Sequence, residues 1–336
     1  MLDVTTRCIN FVQSNAKIGL KFKNILDCLD KIFRQLNQEI IKMRFLTLIV
    51  SLAFSFSVFS NTVEEARTLY SKRGLDNQGL ENARKSAEIY KSLVTEASGM
   101  EKANLMIRQS EALYFVGLVL QKNGDEKGAL EVFLKGYDAG LAAVNMLGNR
   151  PGDKEGAINP KEAGNETILA DSMYWELVNI LRWGKIYGIF QALSKWKEIG
   201  KPRIEDIIRL DRTVMNYGVH RSAGKALLTL PGNQKIEGMS ALDFLKEAYE
   251  ATVHTVNGIT LADNMATVTF YLEALREEKD SETFCSIYRN MDSVMKNPTD
   301  EQLNEVFPRL APEARFEYSD FMSEKKNPKF AEKNCR

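Results

Sequence analysis

Residues 113–136 read LYFVGLVLQKNGDEKGALEVFLKG, and this stretch predicts two antiparallel helices joined by a tight turn. Asn123 and Gly124 lie where the first helix would end in a left-handed residue, and Asp125 can cap the second helix. On both sides of the turn, bulky and small residues alternate at a spacing that lets two helices nest. The residues that alternate are Leu113, Gly117, Leu120, Ala129, Phe133 and Gly136.

The same pattern continues along most of the chain. Apolar residues recur at three- and four-residue steps, which indicates amphipathic helices, and only 8 of the 336 residues are proline. Further helical pairs are predicted in 211–248 and 261–295, after helices in 62–73 and 80–96. We therefore expect an all-α fold of tetratricopeptide-like antiparallel helical pairs that form a single curved array or bundle, in a domain spanning 61–296.

Composition excludes several classes of protein. The chain is 44% hydrophobic and 27% charged, which is typical of a globular protein and not of a disordered or membrane-embedded one. Lys and Arg total 45, as do Asp and Glu, so there is no net charge. A nucleic-acid-binding protein would usually carry a basic surplus, and we expect no nucleic-acid partner.

An export signal is predicted at residues 43–60. Met43 and Arg44 precede an unbroken apolar run, Phe45–Phe59, which Ser60 closes. Val58 and Ser60 lie at the positions that signal peptidase recognises before a cleavage site. The run is shorter than the ~20 residues that a membrane-spanning helix needs. We expect a periplasmic protein exported by a signal peptide that starts at Met43. The alternative is a protein anchored in the inner membrane through residues 45–60.

The 42 residues before this signal are unexpected, because a signal peptide normally begins with a short charged segment. We interpret residues 1–42 as an extension produced by a start codon assigned too early. The alternative is an amphipathic cytoplasmic helix, since Phe22, Leu29 and Phe33 share one face that lysines flank.

Two cysteines remain after the signal, Cys285 and Cys335. They can form one disulfide, which would tie down a C-terminal tail at 297–336 with weak apolar periodicity. The alternative is two free thiols. Two cysteines and two distant histidines do not make a metal site, and we expect no metal and no cofactor.

The segment 168–196 is predicted to be one long, mostly buried helix that carries Tyr174, Trp175 and Trp183. Arg182 lies within its apolar run and must find a carboxylate, a carbonyl or a bound anion. The internal carboxylates considered as partners are Asp171, Asp211 and Glu247. The aromatic residues can line a ligand channel or simply belong to the core.

A second group of candidate residues follows at Tyr217, His220 and Arg221. The adjacent imidazole and guanidinium can bind an anion, although a lone histidine is more often a packing or capping residue. The long segment 147–166, rich in glycine and proline, is predicted to be a loop that gates or docks. No hydrolase, metalloprotease or nucleotide-binding motif is present, so we expect no catalytic residues and no enzyme activity.

The order of these features resembles the TatT family, the T component associated with TRAP transporters. The resemblance covers roughly 80–295, and its motif falls on Tyr174, Trp175, Arg182, Trp183, Gly218, His220, Arg221, Gly224, Pro231 and Gly232. It implies a helical envelope protein that works with a periplasmic solute-binding protein to deliver hydrophobic or carboxylate-bearing ligands. Many members are lipoproteins, whereas no cysteine follows the signal here.

These observations predict a non-enzymatic periplasmic binding or adaptor protein for a hydrophobic or anionic small molecule. They are also compatible with a homo-oligomer. The alternative is a tetratricopeptide-like scaffold in the cell envelope that holds other proteins and binds no small ligand. A hydrolase would require Ser222 or Ser240 within reach of His220 or His254.

Overall fold

The computed structural model describes residues 62–149, 157–232, 234–308 and 310–335. The predicted extension at 1–42, its alternative amphipathic helix and the predicted signal peptide at 43–60 lie outside these residues. Val63–Arg336 forms one compact unit. Within the described part of this unit, no helix is both long enough and apolar enough to cross a membrane.

The prediction of an all-α fold is confirmed. After helical residues 62–71, the chain forms α1 (Asn77–Glu96), α2 (Gly99–Lys122) and α3 (Glu126–Leu147). Adjacent helices pack on one another along the chain. As predicted, the carboxylate of Asp125 caps α3 by accepting from the amide of Gly128. Gly117 leaves room for the ring of Phe133 in the α2–α3 contact.

The predicted single helix over 168–196 is wrong. The chain instead forms α4 (Glu166–Tyr187), α5 (Ile189–Lys195), a π-helical turn (Trp196–Gly200) and α6 (Lys201–Asp211). The break lies at Gly188, whose φ of 124° and ψ of 164° are accessible essentially only to glycine. Because the chain changes direction there, Ile189 and Phe190 are exposed instead of buried.

Two more helical pairs follow, α7 (Val214–Thr229) with α8 (Ala241–Thr252), and α9 (Met265–Glu277) with α10 (Ser281–Met295). A hairpin that we did not predict joins the pairs. Its antiparallel strands β3 (Val253–Val256) and β4 (Ile259–Ala262) pair Val253 with Ala262 and Val256 with Ile259. Earlier in the chain, β1 (Gly148–Asn149) pairs with β2 (Asn159–Pro160), so both ends of the predicted 147–166 loop are ordered.

The region expected to be a C-terminal tail, 297–336, is helical in most of its described residues. Residues 297–335 contain α11 (Asp300–Val306), α12 (Ala311–Ser323) and α13 (Lys326–Asn334). Leu303, Phe307 and Phe321 from this region are buried in the same apolar cluster as α9 and α10. A disulfide joins Cys285 of α10 to Cys335, which follows α13. Short helices with few apolar residues therefore complete the domain core, which extends beyond residue 296.

The core consists of three clusters of buried apolar residues. Helix α4 contributes to two of them, through Trp175 in one and Ile180 in another. Most of the α4 residues between Leu169 and Gly184 are buried. The aromatic helix is therefore central in the domain, as its apolar circumference predicts.

Candidate functional site

A cavity of about 210 Å³ lies against α4, where α2, α5, α7, α9 and α12 also contribute walls. Its lining is mostly apolar. Representative apolar residues are Leu118, Trp175, Val178, Leu181, Trp196 and Phe270. Since an apolar cavity of about 150 Å³ is large enough to hold benzene, this cavity can admit a small organic molecule.

The structure brings four of the seven predicted ligand-binding residues together in this cavity. These four are Tyr174, Trp175, Arg182 and Arg221. The other three do not line it. Trp183 is stacked on Tyr187 with 4.7 Å between ring centroids, Tyr217 lines a second pocket, and His220 is fully buried elsewhere in the core.

Arg182 satisfies its charge within the protein. Its Nη2 lies 2.6 Å from Oε1 of Glu317 on α12, and its Nε donates to the hydroxyl of Tyr114 at 3.3 Å. The guanidinium also lies over the ring of Phe316. The expectation of a structural ion pair is therefore met, but by none of the carboxylates considered from sequence, because Glu317 comes from the region that we took for a tail.

Arg221 differs from Arg182 in having no anionic partner within the described part of the chain. It is 5% exposed, yet no carboxylate in the described chain lies within 4.0 Å of its guanidinium nitrogens. It donates to the carbonyl oxygens of Asn216 at 2.9 Å and Met215 at 3.3 Å. Longer contacts of 3.4 Å reach the hydroxyls of Tyr174 and Thr267. Arg221 is thus a buried cation held by neutral oxygens at the edge of an apolar cavity.

The carbonyls that hold Arg221 belong to an unusual turn near the start of α7. Met215, Asn216 and Tyr217 all have positive φ, between 49° and 57°. Three consecutive left-handed residues with side chains are costly, at about 1–3 kcal/mol each, and such strain concentrates at ligand clamps and switch regions. The next residue is Gly218, where a Cβ would come within 2.6 Å of the Tyr174 ring. The turn, Tyr174 and Arg221 therefore form one packed unit.

The remaining charged residues of the cavity wall are paired. Lys225 contacts Glu273 of α9, and Arg73 lies 2.7 Å from Glu313 of α12. Burial raises the pKa of Glu313, although Arg73 opposes that shift. Sequence reasoning missed Glu313 and Glu317 of α12, and also Tyr114, whose pKa burial raises to about 12. Lys225 could have been found from the sequence, because it lies one helical turn after Arg221 and therefore on the same face of α7.

His220 is not arranged to bind an anion. Its ring lies between Tyr217 and Phe244, with centroid distances of 5.3 and 5.5 Å. Burial lowers its pKa to about 4, and Glu247, whose Oε1 is 3.5 Å from Nε2, only partly offsets this. The imidazole is therefore neutral at physiological pH and acts as a packing residue.

The groups required for a hydrolase do not meet in the described residues. The hydroxyl of Ser240 bonds to Asp243, and no hydrogen bond joins Ser222 or Ser240 to His220 or His254. A second pocket, more open and more polar, is lined by Tyr217, His254 and Asp263. The described chain contains no cluster of residues that could hold a metal ion.

No protein-family model matches this chain, and a search of curated proteins finds no relative. The resemblance to the TatT family therefore stays a prediction, and the geometry of the cavity is the main guide to function.

Proposed function

We propose that this protein is a non-enzymatic binding protein whose cavity beside α4 receives a small organic molecule with an apolar body and one anionic group. The observation that supports this most directly is Arg221, a buried cation in the wall of an apolar cavity that has no carboxylate partner among the residues the structure describes. The apolar lining would bury the body of the ligand, and the guanidinium would bind its carboxylate.

The energetic argument rests on the contrast between the two cavity arginines. A buried charge is costly unless an opposite charge and hydrogen bonds compensate it. Glu317 does this for Arg182, whereas the described hydrogen-bond partners of Arg221 are carbonyl and hydroxyl groups. A ligand carboxylate at Arg221 would make charge-assisted hydrogen bonds, which contribute about 1.5–3 kcal/mol.

The cellular setting that we propose follows from the sequence. The predicted signal peptide at 43–60 places the mature protein in the periplasm, and the resemblance to the TatT family suggests a solute-binding protein as its partner. In this proposal the protein is an adaptor that accepts the ligand and passes it on without chemical change.

The experiment compares octanoate with 1-octanol, two probes with the same apolar chain and different head groups. Trp175 and Trp196 line the cavity, so tryptophan fluorescence can report binding. We expect wild-type protein to bind octanoate more tightly than octanol. Arg221→Gln should weaken octanoate binding by about tenfold or more, because each tenfold step corresponds to 1.4 kcal/mol, and should leave octanol binding unchanged.

Arg84→Gln is the matched control, because Arg84 is an exposed arginine on α1 and its substitution changes the charge equally. Equal loss of octanoate affinity in both variants would argue against an anion site at Arg221. Failure of both probes to bind wild-type protein would argue against the cavity as a binding site.

A scaffold function is the second candidate, and one observation favours it. Tyr187, Ile189 and Phe190 are exposed side by side in sequence, with Phe190 85% exposed. Exposed apolar clusters often mark protein contacts. Purification from the cell envelope with stoichiometric assembly proteins and no extractable small molecule would support the scaffold. Copurification of a solute-binding protein or an organic acid would support the adaptor.

A further inference from the structure

Helix α5 forms one wall of the cavity through Ala192 and Lys195. It is held less firmly than the other walls, since none of its seven residues is buried. Leu193 is half-buried against the core, while Ile189 and Phe190 point into solvent with exposures of 46% and 85%. Segments with few buried apolar contacts belong to the least stable parts of a fold and open most readily.

No side-chain bond ties α5 to another helix in the described chain. Lys195 pairs with Glu198, which lies in the adjoining π-helical turn, at 2.9 Å. The other walls are pinned across helices, α4 to α12 by Arg182 and Glu317, and α7 to α9 by Lys225 and Glu273. Opening the cavity at α5 therefore breaks no ion pair between helices in the described chain. Separating α7 from α9 breaks the Lys225–Glu273 pair, and separating α4 from α12 breaks both Arg182–Glu317 and Lys185–Asp320.

Both ends of α5 are suited to movement. At its start Gly188 adopts a backbone conformation that other residues avoid and can change φ and ψ at little cost. At its end the π-helical turn Trp196–Gly200 departs from α-helical bonding, and such turns are common at functional sites. Trp196 anchors this end, because it is 2% exposed and its indole donates to Gln234 at 3.1 Å.

We infer that α5 is a hinged lid over the cavity. The helix moves about Gly188 while Trp196 holds its other end in place, and this movement admits and releases the ligand. The part of this inference that concerns a ligand rests on the proposed function. The lid closes where Ala192 meets Gly184 of α4, both small residues. A Cβ on Gly184 would lie 3.4 Å from the Cβ of Ala192.

That distance is slightly shorter than the roughly 3.5–4.5 Å between the Cβ atoms of a disulfide, so a small outward shift of α5 lets a disulfide form and allows a sharp test. The variant Gly184→Cys/Ala192→Cys should form a disulfide that locks the lid. Gly184→Cys and Ala192→Cys alone are the controls. Since reductant also acts on Cys285–Cys335, wild-type protein treated with reductant is a further control.

The first readout is hydrogen exchange. It needs no ligand, and its main comparison, α5 with α4, is made in wild-type protein. Hydrogen exchange should show the backbone amides of α5 exchanging faster than those of α4 by about tenfold or more, and the lock should slow them. Equal exchange in α5 and α4 of wild-type protein would overturn the lid.

The second readout is the rate of octanoate exchange, followed by stopped-flow tryptophan fluorescence. In the locked protein, association and dissociation should both slow by about tenfold or more, with little change in affinity, because the lid controls access rather than contacts. Reduction should restore the rates. Equal rates in locked and unlocked protein would overturn the lid as the entrance. If octanoate binds neither form but the lock still slows α5 exchange, the lid is supported and the proposed function fails.

Discussion

Arg182 and Glu317 lie 135 residues apart in the chain and form an ion pair in the cavity wall, with 2.6 Å between Nη2 and Oε1. Both side chains are largely buried, at 11% and 6% exposure. The pair connects the central helix α4 to α12, so a wall of the cavity is joined directly to the C-terminal helices.

Replacing Arg182 alone should destabilise the protein. Arg182→Met leaves Glu317 as an uncompensated buried charge, which costs about 3–5 kcal/mol. Equilibrium urea denaturation measures the loss. The double variant Arg182→Met/Glu317→Leu should recover much of the stability, because apolar residues of similar size can replace a buried pair. An intact fold with lost octanoate affinity in Arg182→Met would instead indicate that Arg182 binds the ligand.

Asp171 should lower the free energy of unfolding at neutral pH. Burial raises the pKa of this carboxyl to about 6, while Arg108 and the indole of Trp175 oppose the shift. Because the folded pKa exceeds the unfolded value, the folded form favours the protonated acid, and stability falls as pH rises from about 4 through 6. Asp171→Asn should therefore raise the free energy of unfolding by up to about 3 kcal/mol at pH 7.5 and by only about 0.5 kcal/mol at pH 4. A gain that does not vary with pH would contradict this.

His220 should act in the opposite direction. Its pKa is lowered to about 4 from 6.5, so the unfolded chain takes up a proton first as the pH falls. The full contribution of His220 to the free energy of unfolding is present above pH 6.5. Near pH 4 about 3 kcal/mol of it has been lost. His220→Gln should flatten this part of the stability profile, measured by denaturation at pH 4, 5, 6 and 7. A steeper loss in acid than in wild-type protein would contradict the assignment.

The disulfide should stabilise the whole domain. Cys285 and Cys335 enclose a loop of 50 residues, for which the chain-entropy model gives about 4 kcal/mol. Cys285→Ser/Cys335→Ser should lower the free energy of unfolding by about that amount. The same variant should be insensitive to reductant, whereas wild-type protein should lose stability when reductant is added. An equal response of both proteins to reductant would show that another effect is responsible.

The parts of the fold that local sequence determines were predictable. The α2–α3 pair follows from small residues opposite bulky ones, and Asp125 caps α3 as its position predicts. The β3–β4 hairpin could also have been predicted, because Asn257 and Gly258 between alternating residues are a strong turn signal. Both residues have the positive φ that such a turn requires.

Other features depended on long-range packing and could not be predicted from one sequence. The apolar periodicity continues through Gly188, so it does not show that the chain turns there. Helices α11–α13 have weak periodicity, because a few buried residues such as Phe307 and Phe321 carry their packing. For the same reason nothing near Arg182 identified Glu317 as its partner. Four of the seven predicted residues thus lie in one cavity, and much of the wall around them was not predicted.

The left-handed turn at 215–217 affects how tightly any anion could be held. The carbonyls of Met215 and Asn216 already occupy N–H groups of Arg221, so an arriving carboxylate must compete with the backbone for the same donors. The measured affinity would be the difference between two sets of hydrogen bonds, and departure of the anion would return the guanidinium to the turn. Such an exchange of acceptors favours reversible loading over permanent capture, which the proposed adaptor role would require.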